Sequence, residues 1–282
     1  MYNLLLGLGA AALAFLVGYL AAGWVAGLVP AVLAFGIVYF LLARRSTRQL
    51  EAIAQAGMAM LQGGNADGAR AHLLTALPIG KWQFLIEPQV HGQVGQLDYM
   101  QAVGLVMQRQ LTAADAKFAD AVTSLAKSWS RDWRSRAMLG VVHARKGRTD
   151  EAVAVFEAAT SGGSGEPLFW GQYAWVLSDA KRRDQALAVI GRGLAEVKGN
   201  KSLIAVQEAL SNRKRPDFGA AFGETWYQLF PDQMSQEQLA ALYEQTTGKK
   251  VPAGARFGAP GPGERAANGP IRPPKTFPMP RR

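Results

Sequence analysis

The sequence predicts an all-α chain: an N-terminal transmembrane helical hairpin, then an α-solenoid of repeated helix pairs, then a disordered C-terminal tail. Three observations lead there. No charged side chain occurs in residues 1–43. From residue 46 onward apolar residues recur at helical spacing, broken by short turns of Gly, Asn and Asp. The final stretch is rich in Pro, Gly and basic residues and has no apolar period. The expected organisation is a hairpin in residues 1–45, helical repeats in 46–211, a C-terminal helical cap in 212–247 and the tail in 248–282.

The uncharged stretch is too long for one span. As a single helix it would run roughly 65 Å at ~1.5 Å per residue, whereas the hydrocarbon core of a bilayer is ~30 Å thick. Two spans, near residues 3–21 and 25–42, fit instead. The turn falls at Ala22-Gly23-Trp24: Gly23 tolerates tight-turn backbone angles, and Trp24 suits a membrane–water interface. Pro30 is expected near the first turn of the second helix, where its missing N–H costs little. Arg44, Arg45 and Arg48 follow at once, and flanking positive charge favours the cytoplasmic side. The implied location is the inner, cytoplasmic membrane of a bacterium, with the repeats facing the cytoplasm. A cleaved signal peptide would carry a basic leader and a much shorter apolar run. Gly23-x-x-x-Gly27 and Gly7-x-x-x-Ala11 have the spacing that lets helices approach closely, within the hairpin or between copies.

Self-similarity is clearest between residues 134–167 and 168–201. Gly140, Ala152, Phe156 and Ala159 map onto Ala174, Ala186, Ile190 and Gly193 at a period of 34, a length typical of two-helix repeats. Small residues belong where two antiparallel helices cross, and large ones such as Leu139, Trp170, Phe156 and Ile190 fill the gaps between them. Gly147 is placed to end the first helix of its pair. Two further copies lie upstream: Gly57, Gly64, Ala69, Leu73 and Ala76, then Ala102, Leu105, Ala114, Phe118 and Ala121. Residues 77–93, with Pro78, Gly80 and Pro88, read as an insertion between them.

The run Leu139-Gly140-x-x-His143-x-x-x-Gly147-x-x-x-x-Ala152-x-x-x-Phe156-x-x-Ala159 resembles the tetratricopeptide repeat (TPR) family. His143 stands where that family usually has Tyr, and Lys181 replaces the turn Gly in the next copy. The resemblance covers about residues 46–211. It implies a concave groove lined by the first helix of each pair, which takes a peptide or helix from a protein partner. Mapped residue by residue, the protein-binding positions would be Arg134, Val141 and Arg145 in one repeat and Gln172, Trp175 and Asp179 in the next. Trp175 beside Arg and Gln has the composition of an interaction hot spot; the competing reading packs it against the next repeat.

Residues 201–210 read as a further helix. Residues 218–230 concentrate aromatics, including Trp226 and Tyr227, as the cover an end repeat needs. Ser235-x-x-Gln238 has the form of a capping box opening one more helix. The tail holds eight basic side chains against the single acid Glu264, so it carries seven of the ten net positive charges. It is expected to be disordered, because it cannot bury enough apolar surface to offset ordering entropy. Pro270-x-x-Pro273-x-Lys275 could form polyproline II.

Chemistry is sparsely provided. The chain has no cysteine, which removes disulfides, thiolate metal sites and thiol nucleophiles. His72, His91 and His143 stand apart from one another, without metal-ligand spacing. No Gly-rich loop ends in Gly-Lys-Ser/Thr, and no Gly-x-Ser-x-Gly elbow occurs. The expectation is therefore a membrane-anchored, non-enzymatic scaffold without cofactor or metal. Its partner is a protein rather than a nucleic acid or small-molecule substrate. The competing expectation is a structural subunit of a membrane complex that works through its hairpin.

Overall fold

The fold was obtained as a computed structural model that describes residues 2–83 and 86–247. The expected disorder of residues 248–282 lies outside the described residues. Among those described there are thirteen α-helices, two 3₁₀ segments and no strand. In order they are α1 (Tyr2–Ala22), α2 (Trp24–Gln62), α3 (Ala66–Leu74), α4 (Ile86–Met107), α5 (Leu111–Ala126), α6 (Trp133–Arg145), α7 (Thr149–Gly163), α8 (Pro167–Asp179), α9 (Arg183–Glu196), α10 (Lys201–Ser211), α11 (Phe218–Phe222), α12 (Glu224–Tyr227) and α13 (Gln236–Thr247). The chain divides into two compact units, Met1–His91 and Gly92–Arg282.

In the first unit, α1 and α2 form the apolar hairpin. Both are long and apolar enough to cross a membrane. Gly23 alone breaks them, at φ +88°. Large apolar side chains such as Leu13, Val17, Leu20 and Val32 stay exposed on the outer face, while the inner face closes through glycine. A Cβ on Gly18 would lie 2.6 Å from the Ala26 carbonyl oxygen, and one on Gly27 would lie 2.7 Å from that of Phe15. Pro30 sits in the second turn of α2 rather than the first. Having no N–H, it leaves the Ala26 carbonyl without its i+4 donor. That carbonyl oxygen lies where any side chain on Gly18 would have to stand. Gly27 and Gly7 thus serve packing within the hairpin: a Cβ on Gly7 would meet the Phe35 ring at 3.1 Å. The second helix does not stop at residue 42 but runs on to Gln62, because residues 43–62 contain neither Pro nor Gly except Gly57. There, Gly57 meets Leu73 of α3.

The helix pairs share one frame. A residue with left-handed backbone ends each first helix: Gly64, Arg109, Gly147 and Lys181, at φ of 77°, 59°, 74° and 60°. The next residue's N–H returns to a carbonyl five positions back. These bonds are Asn65 to Met60, Gln110 to Leu105, Arg148 to His143 and Arg182 to Leu177, all 2.8–2.9 Å. This is a Schellman stop. Asn65, Gln110, Arg148 and Arg182 then become the N-caps of α3, α5, α7 and α9. Four residues on stand Ala69, Ala114, Ala152 and Ala186, and eight on stand Leu73, Phe118, Phe156 and Ile190, all buried. Ala76, Ala121, Ala159 and Gly193, eleven on, are buried as well. The requirement for small size is explicit. A Cβ on Gly140 would lie 2.5 Å from the Phe156 ring, and one on Gly193 would lie 2.7 Å from the Trp170 ring.

Within the second unit, ion pairs tie one pair to the next. Arg192 holds Glu157 through two bonds of 2.6 and 3.1 Å, and the Tyr173 hydroxyl donates to the same carboxylate at 2.7 Å. Arg182 reaches Asp150 at 2.6 Å. The Arg192 bonds, the largest contribution, hold the Glu157 carboxyl below its usual range. Ser235 and Gln238 complete the capping box in both directions, at 2.8 and 3.1 Å, and open α13.

The hairpin geometry is directly testable. A Cβ on Gly7 would lie 3.6 Å from that of Tyr39, within disulfide reach. In this cysteine-free chain, the Gly7→Cys/Tyr39→Cys variant should oxidise to an intramolecular disulfide detectable by mass and gel shift. Adding Gly18→Leu should suppress it, by overpacking that costs about 1–3 kcal/mol. Adding Gly9→Ala, which has open space around its Cα, should leave it intact.

Candidate functional site

The first helices α6 and α8 carry the residues expected to line a groove, and both, together with the preceding first helix α4, are met by a segment of the chain itself. Leu229–Asp232, in the connection between α12 and α13, touches each of these helices. From α4, the Tyr99 hydroxyl donates to the Leu229 carbonyl at 2.9 Å. From α6, both terminal nitrogens of Arg145 donate to the two Asp232 oxygens at 2.9 Å. From α8, the Trp175 ring meets Phe230 at 4.9 Å and Trp226 at 6.3 Å.

Arg145 is the centre of this arrangement. Its guanidinium lies 5.9 Å from the Phe118 ring and 5.7 Å from the Phe230 ring. Its side chain and that of Asp232 are only 16% and 17% exposed. Burial works against the charge on Arg145, but Tyr99 and the bonded Asp232 outweigh it, so its pKa is raised. Burial pushes the Tyr99 phenol up to about 12, against the opposing pull of Arg145. A bidentate pair in such surroundings is geometrically specific.

The expected binding residues therefore divide. Arg145 and Trp175 come together, on the chain's own C-terminal segment. Val141 and Gln172 are buried, at 1% exposure each. Arg134 and Asp179 are exposed, and Arg134 lies over the Trp133 ring at 5.3 Å. Trp175 packs against the cap, on Trp226 and Phe230, rather than against another repeat. The residues that sequence reasoning missed are Tyr99, Phe230 and Asp232. The available signal was Phe230-Pro231-Asp232, an acid and a helix breaker set directly after the aromatic cluster.

Trp226 forms the hub of the cap. Its ring stacks on Phe230 at 4.3 Å, Phe218 at 5.2 Å and Phe222 at 5.8 Å. Its indole N–H donates to Gln233 at 2.8 Å. Outside this cluster, His143 sits in the turn side of the α6–α7 pair, with Nδ1 3.0 Å from Glu151. Burial, followed by the charge of Arg148, lowers its pKa despite that carboxylate. Among the described residues no group of three or more His, Asp or Glu stands close enough to hold a metal ion. No protein-family model matches the chain, and no curated protein does.

Two measurements test these assignments. Arg145→Ala should lower unfolding stability by about 3 kcal/mol, because it strands a largely buried Asp232. Asp232→Ala should cost a similar amount, and the double variant much less than their sum, in urea titrations followed by Trp fluorescence. For His143 the folded-state pKa lies below the unfolded one, so the unfolded chain binds the proton first. Stability should fall as pH drops through about 6.5. His143→Phe should flatten that part of the pH profile.

Proposed function

We propose that the chain is a membrane-anchored scaffold of tetratricopeptide type that binds a protein partner at the cytoplasmic face of a bacterial inner membrane. The observation that carries this reading is the fourfold recurrence of one frame downstream of two apolar helices. That frame is a left-handed stop, an N-cap, Ala at the fourth position, a large apolar residue at the eighth and a small one at the eleventh. It supports a repeat stack of the kind the sequence resembles, built to present surface rather than to perform a reaction. The hairpin, with its outer apolar side chains uncovered, supports anchoring. Tethering raises the scaffold's effective concentration toward partners at the same surface.

On this reading the partner, a peptide or helix, meets Arg134 and Asp179 at the rim. It reaches Arg145 and Trp175 only by taking the place of Leu229–Asp232. The filled groove also favours a second reading, in which the hairpin is the working part of a membrane complex and the helix pairs brace it. The two are separated by photo-crosslinking in the native host, with the reactive amino acid at Arg134, at Asp179 or at Leu13 on the outer hairpin face. A discrete protein adduct at Arg134 or Asp179, and none at Leu13, is the expected outcome. Adducts confined to Leu13 would replace the scaffold reading with the hairpin reading.

A further inference from the structure

The base of the hairpin carries more than the two helix ends. Twenty rises of ~1.5 Å separate Tyr2 from Ala22, and twenty separate Trp24 from Arg44, so each arm spans roughly 30 Å. That equals the hydrocarbon thickness of a bilayer. Tyr2 and Arg44 thus stand level at one end, with Gly23 and Trp24 at the other. A polar pair closes the level end: the Asn3 side chain, nearly fully buried, donates to the Ser46 hydroxyl at 3.3 Å.

A third element is fastened at the same height. The connection after α3 turns through a 3₁₀ segment, Leu77–Lys81, and ends at Trp82. The Asn3 backbone N–H, one of the first-turn donors that a helix cannot satisfy internally, donates to the Trp82 carbonyl at 3.1 Å. The Tyr2 and Trp82 rings meet edge to face at 5.2 Å. Both rings remain about half exposed, at 49% and 45%. Pro78 and Lys81, three apart on a 3₁₀ segment and so on one side of it, are exposed too.

We infer that Leu77–Trp82 is an interfacial membrane element, seated among the headgroups of an anionic bilayer. This rests on the membrane reading of the hairpin. Indole and phenol rings with half their surface uncovered suit the interfacial layer, where one part of the ring is apolar and the other wet. Arg44 and Arg45 at the same level, with Arg48 one turn on, are exposed. They set three exposed cations at the base of the hairpin. Each basic residue near an anionic leaflet contributes about 1 kcal/mol, which selects acidic phospholipid over zwitterionic lipid. The Asn3–Trp82 and Asn3–Ser46 bonds turn a loop into a fixed third contact that sets the depth of the hairpin.

The absence of native cysteine makes depth measurable. Full-length Pro78→Cys and Leu33→Cys variants, each carrying an environment-sensitive fluorophore, are reconstituted into phosphatidylcholine vesicles with and without phosphatidylglycerol. Spin-labelled lipids quench at the headgroup or at mid-chain. Leu33, exposed midway along the α2 span, reports insertion itself. The expected result is mid-chain quenching for Leu33 and headgroup quenching for Pro78. The Pro78 signal should strengthen with phosphatidylglycerol and weaken with Arg44→Gln/Arg45→Gln. A water-like Pro78 probe beside a deeply quenched Leu33 probe would overturn the inference and leave the anchor standing. A Pro78 signal indifferent to phosphatidylglycerol would overturn its anionic selectivity. Two water-like probes would overturn the membrane reading and the inference with it.

Discussion

The helix pairs depend on one constraint, the close approach of two helices directly after a left-handed stop. The stop reverses the chain within two residues, so the following helix starts beside the one just ended. At that distance the fourth residue of the new helix is buried and must be small, and Ala meets this at less conformational cost than Gly. The sequence supplies Ala69, Ala114, Ala152 and Ala186, each essentially inaccessible to solvent. The large residue one turn later then fills the widening gap, as Phe156 does against Gly140. Apolar burial of about 25 cal/mol per Å² holds the pair together, but the stop decides which surfaces are available to be buried.

This explains what could be read in advance and what could not. Ala-x-x-x-large-x-x-small is a compositional signal, so α7 and α9 and their periodicity of 34 were visible, as were α3 and α5. The stops were half visible. Gly64 and Gly147 announce left-handed backbone, whereas Arg109 and Lys181 adopt the same conformation without a residue type that advertises it. A left-handed L-residue costs roughly 1 kcal/mol, and the Schellman bonds together with burial of the following Ala offset it. The end of the second helix was misplaced for a related reason. Loss of hydropathy at Arg44 ends a membrane span, but it does not end a helix, and nothing in residues 43–56 breaks the backbone hydrogen-bond ladder.

Two residues of the candidate site were legible as large side chains on first helices, and what they touch was not. Arg145 and Trp175 were singled out as first-helix positions that the TPR resemblance assigns to a groove, and both meet residues 226–232 of the same chain. What periodicity cannot give is a contact between residues 87 positions apart, such as Arg145 with Asp232. The side chains that a peptide would meet on the proposed reading meet the chain's own Leu229–Asp232. That segment has a covalent advantage over any free peptide, since its effective concentration is set by a short connection. Specificity comes from the pair itself: an aromatic ring stacked beside the guanidinium and an acid two residues later in its bidentate grip. Any occupant that replaced this segment would have to provide both, or leave Arg145 buried and unpaired.

Glycine serves the hairpin in the opposite sense from the repeats. In the helix pairs a left-handed residue makes the turn and alanine makes the contact. In the hairpin Gly23 turns the chain, and Gly18 and Gly27 make the contact, backbone against backbone. The difference follows from what each interface can bury. On the proposed membrane reading of the hairpin, apolar side chains would gain little by leaving hydrocarbon for one another, so close backbone packing would have to supply the attraction. Pro30 fits this account. In water-soluble helices a proline in the second turn is a defect, because it orphans a carbonyl. Here the orphan, the Ala26 oxygen, lies 2.6 Å from where a Cβ of Gly18 would stand, so the freed acceptor sits at a glycine contact between the two arms.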